Sequence, residues 1–229
     1  MFFFFFSKPY ISIVGEVVDT KEHTKELNEA LREMNRKYEA TMTAKFMATI
    51  NHEFQGIVCK GDSLLPILFD LKNRLYPLRV RIGIGIGEIE EESLSEWSIT
   101  VKGAGYEKAR EALEDLRMRK KRKQVGHADV RAAMCEDSGE RMNLINTILM
   151  LLTTIEDGWS DRQREIISLM MRRKEKQTDV AKKLGITQST VQKSLTAGNY
   201  YVYEEAFQAL NRVFSEIGVE RFEEQWDNG

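Results

Sequence analysis

The sequence predicts an α+β protein in two parts. A ferredoxin-like or palm-type sheet domain is expected over residues 1–137, and an all-α domain with a helix-turn-helix over residues 138–229. Three observations predict it. Strand and helix signals in the first half alternate as β-α-β-β-α-β, the ferredoxin-like or palm order. Near Glu136–Gly139 the texture changes, and only helices are suggested after it. The stretch Gln177–Leu195, QTDVAKKLGITQSTVQKSL, has the spacing of two short crossed helices.

Taken in order, Tyr10–Val18 is an apolar run that ends in polar residues, as a buried strand does. Lys21–Tyr38 has helical periodicity through Leu27, Ala30, Leu31 and Met34. Ala44–Ile50 and Phe54–Val58 read as a hairpin turning at Asn51–His52. Ser63–Leu75 is a second helix, Arg79–Gly87 a strand, Tyr106–Arg117 a third helix and His127–Met134 a final strand. Arg141–Ile155 has apolar groups nearly all around it, which suits a connecting helix or a dimer seam. Ser160 and Gln163 form a capping box for the next helix. Tyr200–Phe214 is a packing helix or dimer contact.

Within Gln177–Leu195, Ala181 is small enough for two helices to cross closely. Gly185 closes the first helix, where a left-handed backbone is cheap only for glycine. Ile186 and Val191 pack the second helix back, and Thr187 or Gln188 caps it. Gln188, Ser189, Gln192 and Lys193 are left for a groove, with Gln188, Ser189 and Gln192 as base-edge candidates. From Arg162 to Lys193 nine Lys/Arg stand against three Asp/Glu, while the whole chain carries only −2. A basic island in a neutral chain suits phosphate contacts, from Arg172, Arg173, Lys182, Lys183 and Lys193. A solvated helix face is the blander account, and a helical hairpin need not bind DNA. One recognition helix reads only a half-site, so a homodimer on double-stranded DNA is expected.

Composition bounds the alternatives. No apolar run is long enough to cross a membrane, so no membrane partner is expected. Cys59 and Cys135 have no metal-ligand spacing and suit a reducing cytoplasm. His23, His52 and His127 are scattered. Phe2–Phe6 is too short for a signal peptide; it extends the first strand or reflects a start-site peculiarity. Arg117–Lys123, RMRKKRK, is either a second phosphate patch or a frayed helix end with a solvated loop. No catalytic constellation is found, and no phosphate-binding Gly-Lys-Ser/Thr loop.

Three segments of the first half carry the candidate chemistry: Gly15-Glu16-Val17-Val18-Asp19-Thr20, Ile50-Asn51-His52-Glu53-Phe54-Gln55-Gly56 and Arg81-Ile82-Gly83-Ile84-Gly85-Ile86-Gly87. In a palm fold the first strand lies beside the hairpin, so Glu16, Asp19 and Glu53 can converge on a divalent metal such as Mg²⁺. Gly83, Gly85 and Gly87 share one face of their strand, which permits close approach by a helix or by a ligand.

In these segments, and in "GAGYEKAREAL" and the helix-turn-helix, the chain resembles the SatD family. The resemblance implies a nucleotide-cyclase-like palm domain followed by a helix-turn-helix. It also implies a nucleotide ligand, for which Lys102, Lys108 and Arg110 are the cationic candidates. The departures are specific. Glu16 stands where the family has Asp, and Asn51-His52 where it has Gly-Asp. A neutral imidazole is a poor ligand for a hard cation, so His52 reads as a turn residue. Cyclases place an Asn four residues before an Arg, and here Tyr106 precedes Arg110. The expectation is a regulator whose degenerate palm senses a nucleotide or mediates dimerisation, with no certain cofactor. The rivals are a metal-dependent nucleotidyl cyclase or transferase, with Mg²⁺ on Glu16 and Glu53, and an interaction module whose helix-turn-helix contacts protein.

Overall fold

A computed structural model of the chain describes residues 9–18, 24–49, 52–97, 101–122, 128–135, 139–173 and 175–217. Phe2–Phe6, Asp19, Asn51 and His127 lie outside them, as does the side chain of Arg173. The class is mixed α+β, as expected. The strands are β1 (Tyr10–Val17), β2 (Met42–Ala48), β3 (Glu53–Val58), β4 (Val80–Gly87) and β5 (Val130–Met134). The helices are α1 (Thr24–Lys37), α2 (Leu64–Leu75), α3 (Ala104–Arg122), α4 (Glu140–Asp157), α5 (Asp161–Arg173), α6 (Gln177–Leu184), α7 (Gln188–Ala197) and α8 (Tyr200–Ser215). α3 runs past Arg117, so the basic run begins as helix rather than as loop.

One sheet has the order β2-β3-β1-β4-β5. Neighbours are antiparallel except β4 and β5, which run parallel across the α3 crossover. Period-two alternation gives the sheet two faces. Ile11, Ile13, Ile82, Ile84 and Ile86 are buried with Leu27 and Met34 of α1 and with Leu64, Ile67 and Leu71 of α2. The opposite face carries Val14, packed with Ala109 and Leu113 of α3. The glycine face of β4 lies there too. A Cβ on Gly85 would stand 1.9 Å from the Gly105 carbonyl oxygen, and one on Gly83 2.1 Å from that of Ala109. The alternation of glycine and isoleucine therefore serves close approach by a helix.

The helical region packs directly onto the sheet region. Asn146 of α4 accepts from the Ala132 N–H at 2.8 Å and donates to the Ala132 carbonyl at 2.9 Å, closing part of the β5 edge. α2 is the main joint. Phe69 packs against Tyr203 and Phe207 of α8, with ring centroids 6.2 and 6.1 Å away. Lys72 pairs with buried Glu156, which also accepts from Tyr203 Oη at 2.5 Å. Ser168 of α5 donates to Asn73 at 2.9 Å. Further on, the Ser160–Gln163 capping box forms: Ser160 N–H donates to Gln163 Oε1 at 2.9 Å, and Gln163 N–H to Ser160 Oγ at 3.3 Å. Trp159 Nε1 donates to the Gly198 carbonyl at 2.7 Å, fixing the α4–α5 turn against the α7–α8 turn. Among the described residues no helix is long and apolar enough to cross a membrane.

Candidate functional site

Two surfaces carry the candidate residues. The first is α6 and α7. α6 ends on Gly185 at φ 64°, in the left-handed region. Ile186 N–H returns to the Ala181 carbonyl at 3.0 Å and Gly185 N–H to that of Lys182 at 3.3 Å, a paired C-cap that turns the chain sharply. Thr187 then caps α7, its hydroxyl accepting from Thr190 N–H at 3.2 Å. Val180, Ala181, Val191 and Leu195 are buried between the helices and their neighbours.

The outward face of α7 presents Gln188, Ser189, Thr190, Gln192 and Lys193, all exposed, and α7 contains no acidic residue. Lys182 and Lys183 are exposed at the end of α6, and Lys176 just before its start. Gln192 is oriented: its carbonyl accepts from Gln177 at 2.7 Å and from Tyr201 Oη at 3.0 Å. Arg172 lies elsewhere. Its Nε donates to buried Asp70 at 2.7 Å, where Tyr38 Oη and Lys37 also converge, so its guanidinium ties α5 to α2. Burial first, and then Asp70, push the Tyr38 hydroxyl well above its ordinary pKa.

The second surface is at one end of the sheet. Glu16 of β1 lies directly opposite Glu53 of β3 on one side and Arg81 of β4 on the other. Arg117 reaches both acids from α3. Its Nη2 is 2.6 Å from Glu16 Oε2 and 2.6 Å from Glu53 Oε1, and its Nε is 3.1 Å from Glu16. Arg81 Nη1 donates to Glu16 Oε1 at 2.9 Å, and Arg110 Nη1 to Glu53 Oε2 at 3.2 Å. Burial would raise the Glu16 carboxyl, but Arg117 and Arg81 together outweigh it and hold its pKa below the ordinary value. Tyr106 Oη donates to Gln55 at 2.8 Å beside this cluster.

This donor set does not fit a divalent cation. All four carboxylate oxygens of Glu16 and Glu53 already face guanidinium nitrogens, from Arg81, Arg110 and Arg117. Arg117 bridges the two acids as a metal would, with directed hydrogen bonds in place of coordination. Among the described residues no group of three or more His, Cys, Asp or Glu side chains is placed to hold a metal. His52 is a turn residue with a left-handed backbone, φ 63°.

The model of the SatD family matches residues 10–212, which takes in both surfaces. The chain belongs to the SatD family. Comparison with curated proteins finds no match. Among solved structures the chain is similar to a regulator of polyketide synthase expression from Bifidobacterium adolescentis. The identity is 11%, covering 90% of this chain and 85% of that chain, at a TM-score of 0.29, too low to establish a shared fold.

In this SatD-family chain Glu16 and Glu53 meet, whereas the three cations named for a nucleotide do not. Lys108 pairs with Glu111 at 2.7 Å and lines a cavity of about 340 Å³ beside β5. Arg110 faces Glu53. Lys102 is exposed, its backbone N–H bonded to Ser93 Oγ at 3.0 Å. Sequence reasoning missed Arg81 and Arg117 as the partners of the acids. The signal for Arg81 is its place on the glycine face of β4, two residues before Gly83. The signal for Arg117 is its spacing of seven from Arg110, which puts both on one side of α3.

Proposed function

We propose that this protein is a DNA-binding regulator in which α6 and α7 act as a helix-turn-helix and the sheet domain is a non-catalytic, palm-like scaffold. The observation that carries the reading is the outward face of α7. It is polar, free of acidic groups, flanked by Lys176, Lys182, Lys183 and Lys193, and held by a capped turn on a helical region fixed to the sheet. In this reading α7 enters a major groove with Gln188, Ser189 and Gln192 toward base edges, while the lysines contact phosphates. Gln192 is pre-oriented by Gln177 and Tyr201, which lowers the ordering cost of a base contact. Arg172, bound to Asp70, serves the joint and not the groove. A duplex partner places the protein in the cytoplasm with the DNA.

The scaffold role rests on the arginine-filled acidic pair. A nucleotidyl transferase would need those carboxylates for its metal, and here they neutralise Arg81, Arg110 and Arg117. The experiment is titration of a fluorescent duplex across a salt series. Wild type is expected to show affinity that falls steeply with salt, and each lysine-to-alanine change at 182, 183 or 193 that removes a phosphate contact to lower the log–log slope by about 0.9. Absence of salt-dependent duplex binding would overturn the DNA reading. Turnover of ATP or GTP with Mg²⁺ or Mn²⁺, abolished by Glu53→Gln, would overturn the scaffold reading.

A further inference from the structure

Three helices meet at the side-chain amide of Gln192. Gln177 opens α6, Gln192 lies within α7, and Tyr201 is near the start of α8. Gln177 Nε2 donates to the Gln192 carbonyl oxygen at 2.7 Å, and Tyr201 Oη donates to the same oxygen at 3.0 Å. Gln177 Nε2 also lies 3.2 Å from Tyr201 Oη, so the three groups close a triangle. Tyr201 is itself held. Its ring packs edge-on against that of buried Tyr200, with centroids 5.2 Å apart.

An amide oxygen has two lone pairs, and here both are taken. The amide nitrogen has two hydrogens, and one goes to Thr196 Oγ1 at 3.3 Å. What Gln192 has left for a ligand is an N–H donor. Gln188 differs: among the described residues its side chain has no hydrogen-bond partner, so its amide is free to turn either way.

We propose that Gln177 and Tyr201 are positioning residues that fix the hydrogen-bond polarity of Gln192, making it a donor that selects guanine in the major groove. The inference rests on the DNA reading of α7 and names the base which that reading leaves open. A glutamine that recognises adenine uses two bonds, its carbonyl accepting from N6 and its N–H donating to N7. At Gln192 that carbonyl is already bonded, so an adenine pair would have to displace one of the two donors that hold it. Guanine presents acceptors at both N7 and O6 and needs no carbonyl. Cytosine presents a donor, N4, which would oppose the Gln192 donor. The triangle adds little stability, because exposed side-chain hydrogen bonds replace bonds to water at small net gain. Its effect is on base choice.

The test is selection from randomised duplexes with wild type and single variants. The position read by Gln192 is the one whose preference disappears in Gln192→Ala. There wild type is expected to favour guanine, by about 2- to 12-fold for one net hydrogen bond. Gln177→Lys can only donate, and is expected to keep guanine. Gln177→Glu can only accept. It is expected to draw Gln192 Nε2 inward, turn the carbonyl outward and shift the preference to cytosine or adenine, which offer donors. Tyr201→Phe keeps the ring and loses the hydroxyl, and is expected to admit adenine with an unchanged salt slope. A folding defect would weaken every position alike, whereas positions read by Gln188 are expected to stay unchanged. If Gln177→Glu does not fold, Tyr201→Phe decides. Adenine at the Gln192 position in wild type, guanine retained in both Gln177→Glu and Tyr201→Phe, or a motif untouched by Gln192→Ala would overturn the proposal and leave the DNA reading standing. Wild type with no motif and no salt-dependent binding would overturn both.

Discussion

Glu16 and Glu53 sit directly opposite each other across β1 and β3, and Arg117 holds both carboxylates through one nitrogen, 2.6 Å from each. Two like charges at a cross-strand position repel. Here a third element, α3, supplies the charge that makes the pair favourable, so the acids fasten the helix to the sheet.

Replacing Arg117 with Ala leaves two half-buried carboxylates facing each other. The expected loss is about 1–3 kcal/mol in chemical denaturation, with part recovered when Glu53→Gln is added. Freed of Arg117, the acids should also acquire a Mn²⁺ affinity greater than that of wild type, read by calorimetry. Wild-type stability in Arg117→Ala would show that the bridge does not fasten α3.

The pH dependence has a defined sign. The folded Glu16 carboxyl lies below its ordinary 4.5, so its contribution is fully present above that value and is lost as pH falls through the lower, folded value. Denaturation midpoints measured from neutral pH down to about 3 should therefore fall less steeply for Glu16→Gln than for wild type. Equal acid slopes would contradict the depressed carboxyl.

The joint through α2 predicts cooperative unfolding. Phe69, Tyr203, Phe207 and Trp159 are buried in the same core as the sheet-facing isoleucines. Trp159 fluorescence and far-ultraviolet circular dichroism should report one coincident transition. Phe207→Ala should lower stability by about 3–5 kcal/mol without splitting that transition. Two separated transitions in wild type would show that the regions unfold independently.

Glycine substitutions should separate two kinds of need. Gly185 has open space around its missing Cβ but a left-handed backbone, so Gly185→Ala should cost about 1 kcal/mol and Gly185→Asn less. Gly85 has an ordinary backbone but no room, so Gly85→Ala must push α3 off the sheet and cost considerably more. Similar losses at both sites, by thermal melting, would count against these assignments.

Much of the fold was legible because it is written locally. The alternating Ile and Gly of β4, the capping box at Ser160–Gln163 and the glycine turn at Gly185 each follow from a few adjacent residues. In the candidate site the meeting of Glu16 and Glu53 was legible from strand adjacency. Their occupation by Arg117 was not, because Glu16 and Arg117 are a hundred and one residues apart in sequence and meet only once α3 has folded over the sheet. By sequence Arg172 reads as one cation of a basic island for the same reason. Its partner Asp70 is one of four polar residues in α2, far upstream, and nothing local marks it as buried. Lys102, Lys108 and Arg110 lie close in sequence, yet Lys102 is in the loop before α3, and α3 turns Lys108 and Arg110, two residues apart, to different sides.

The central claim is that α7 reads duplex DNA, and selection from randomised duplexes across a salt series tests it most directly. The account predicts an enriched motif, lost when Gln188 and Gln192 are both replaced by Ala, with overall affinity falling as salt rises. Retention of duplexes without enrichment and without salt dependence, or a motif unchanged by those two substitutions, would contradict it.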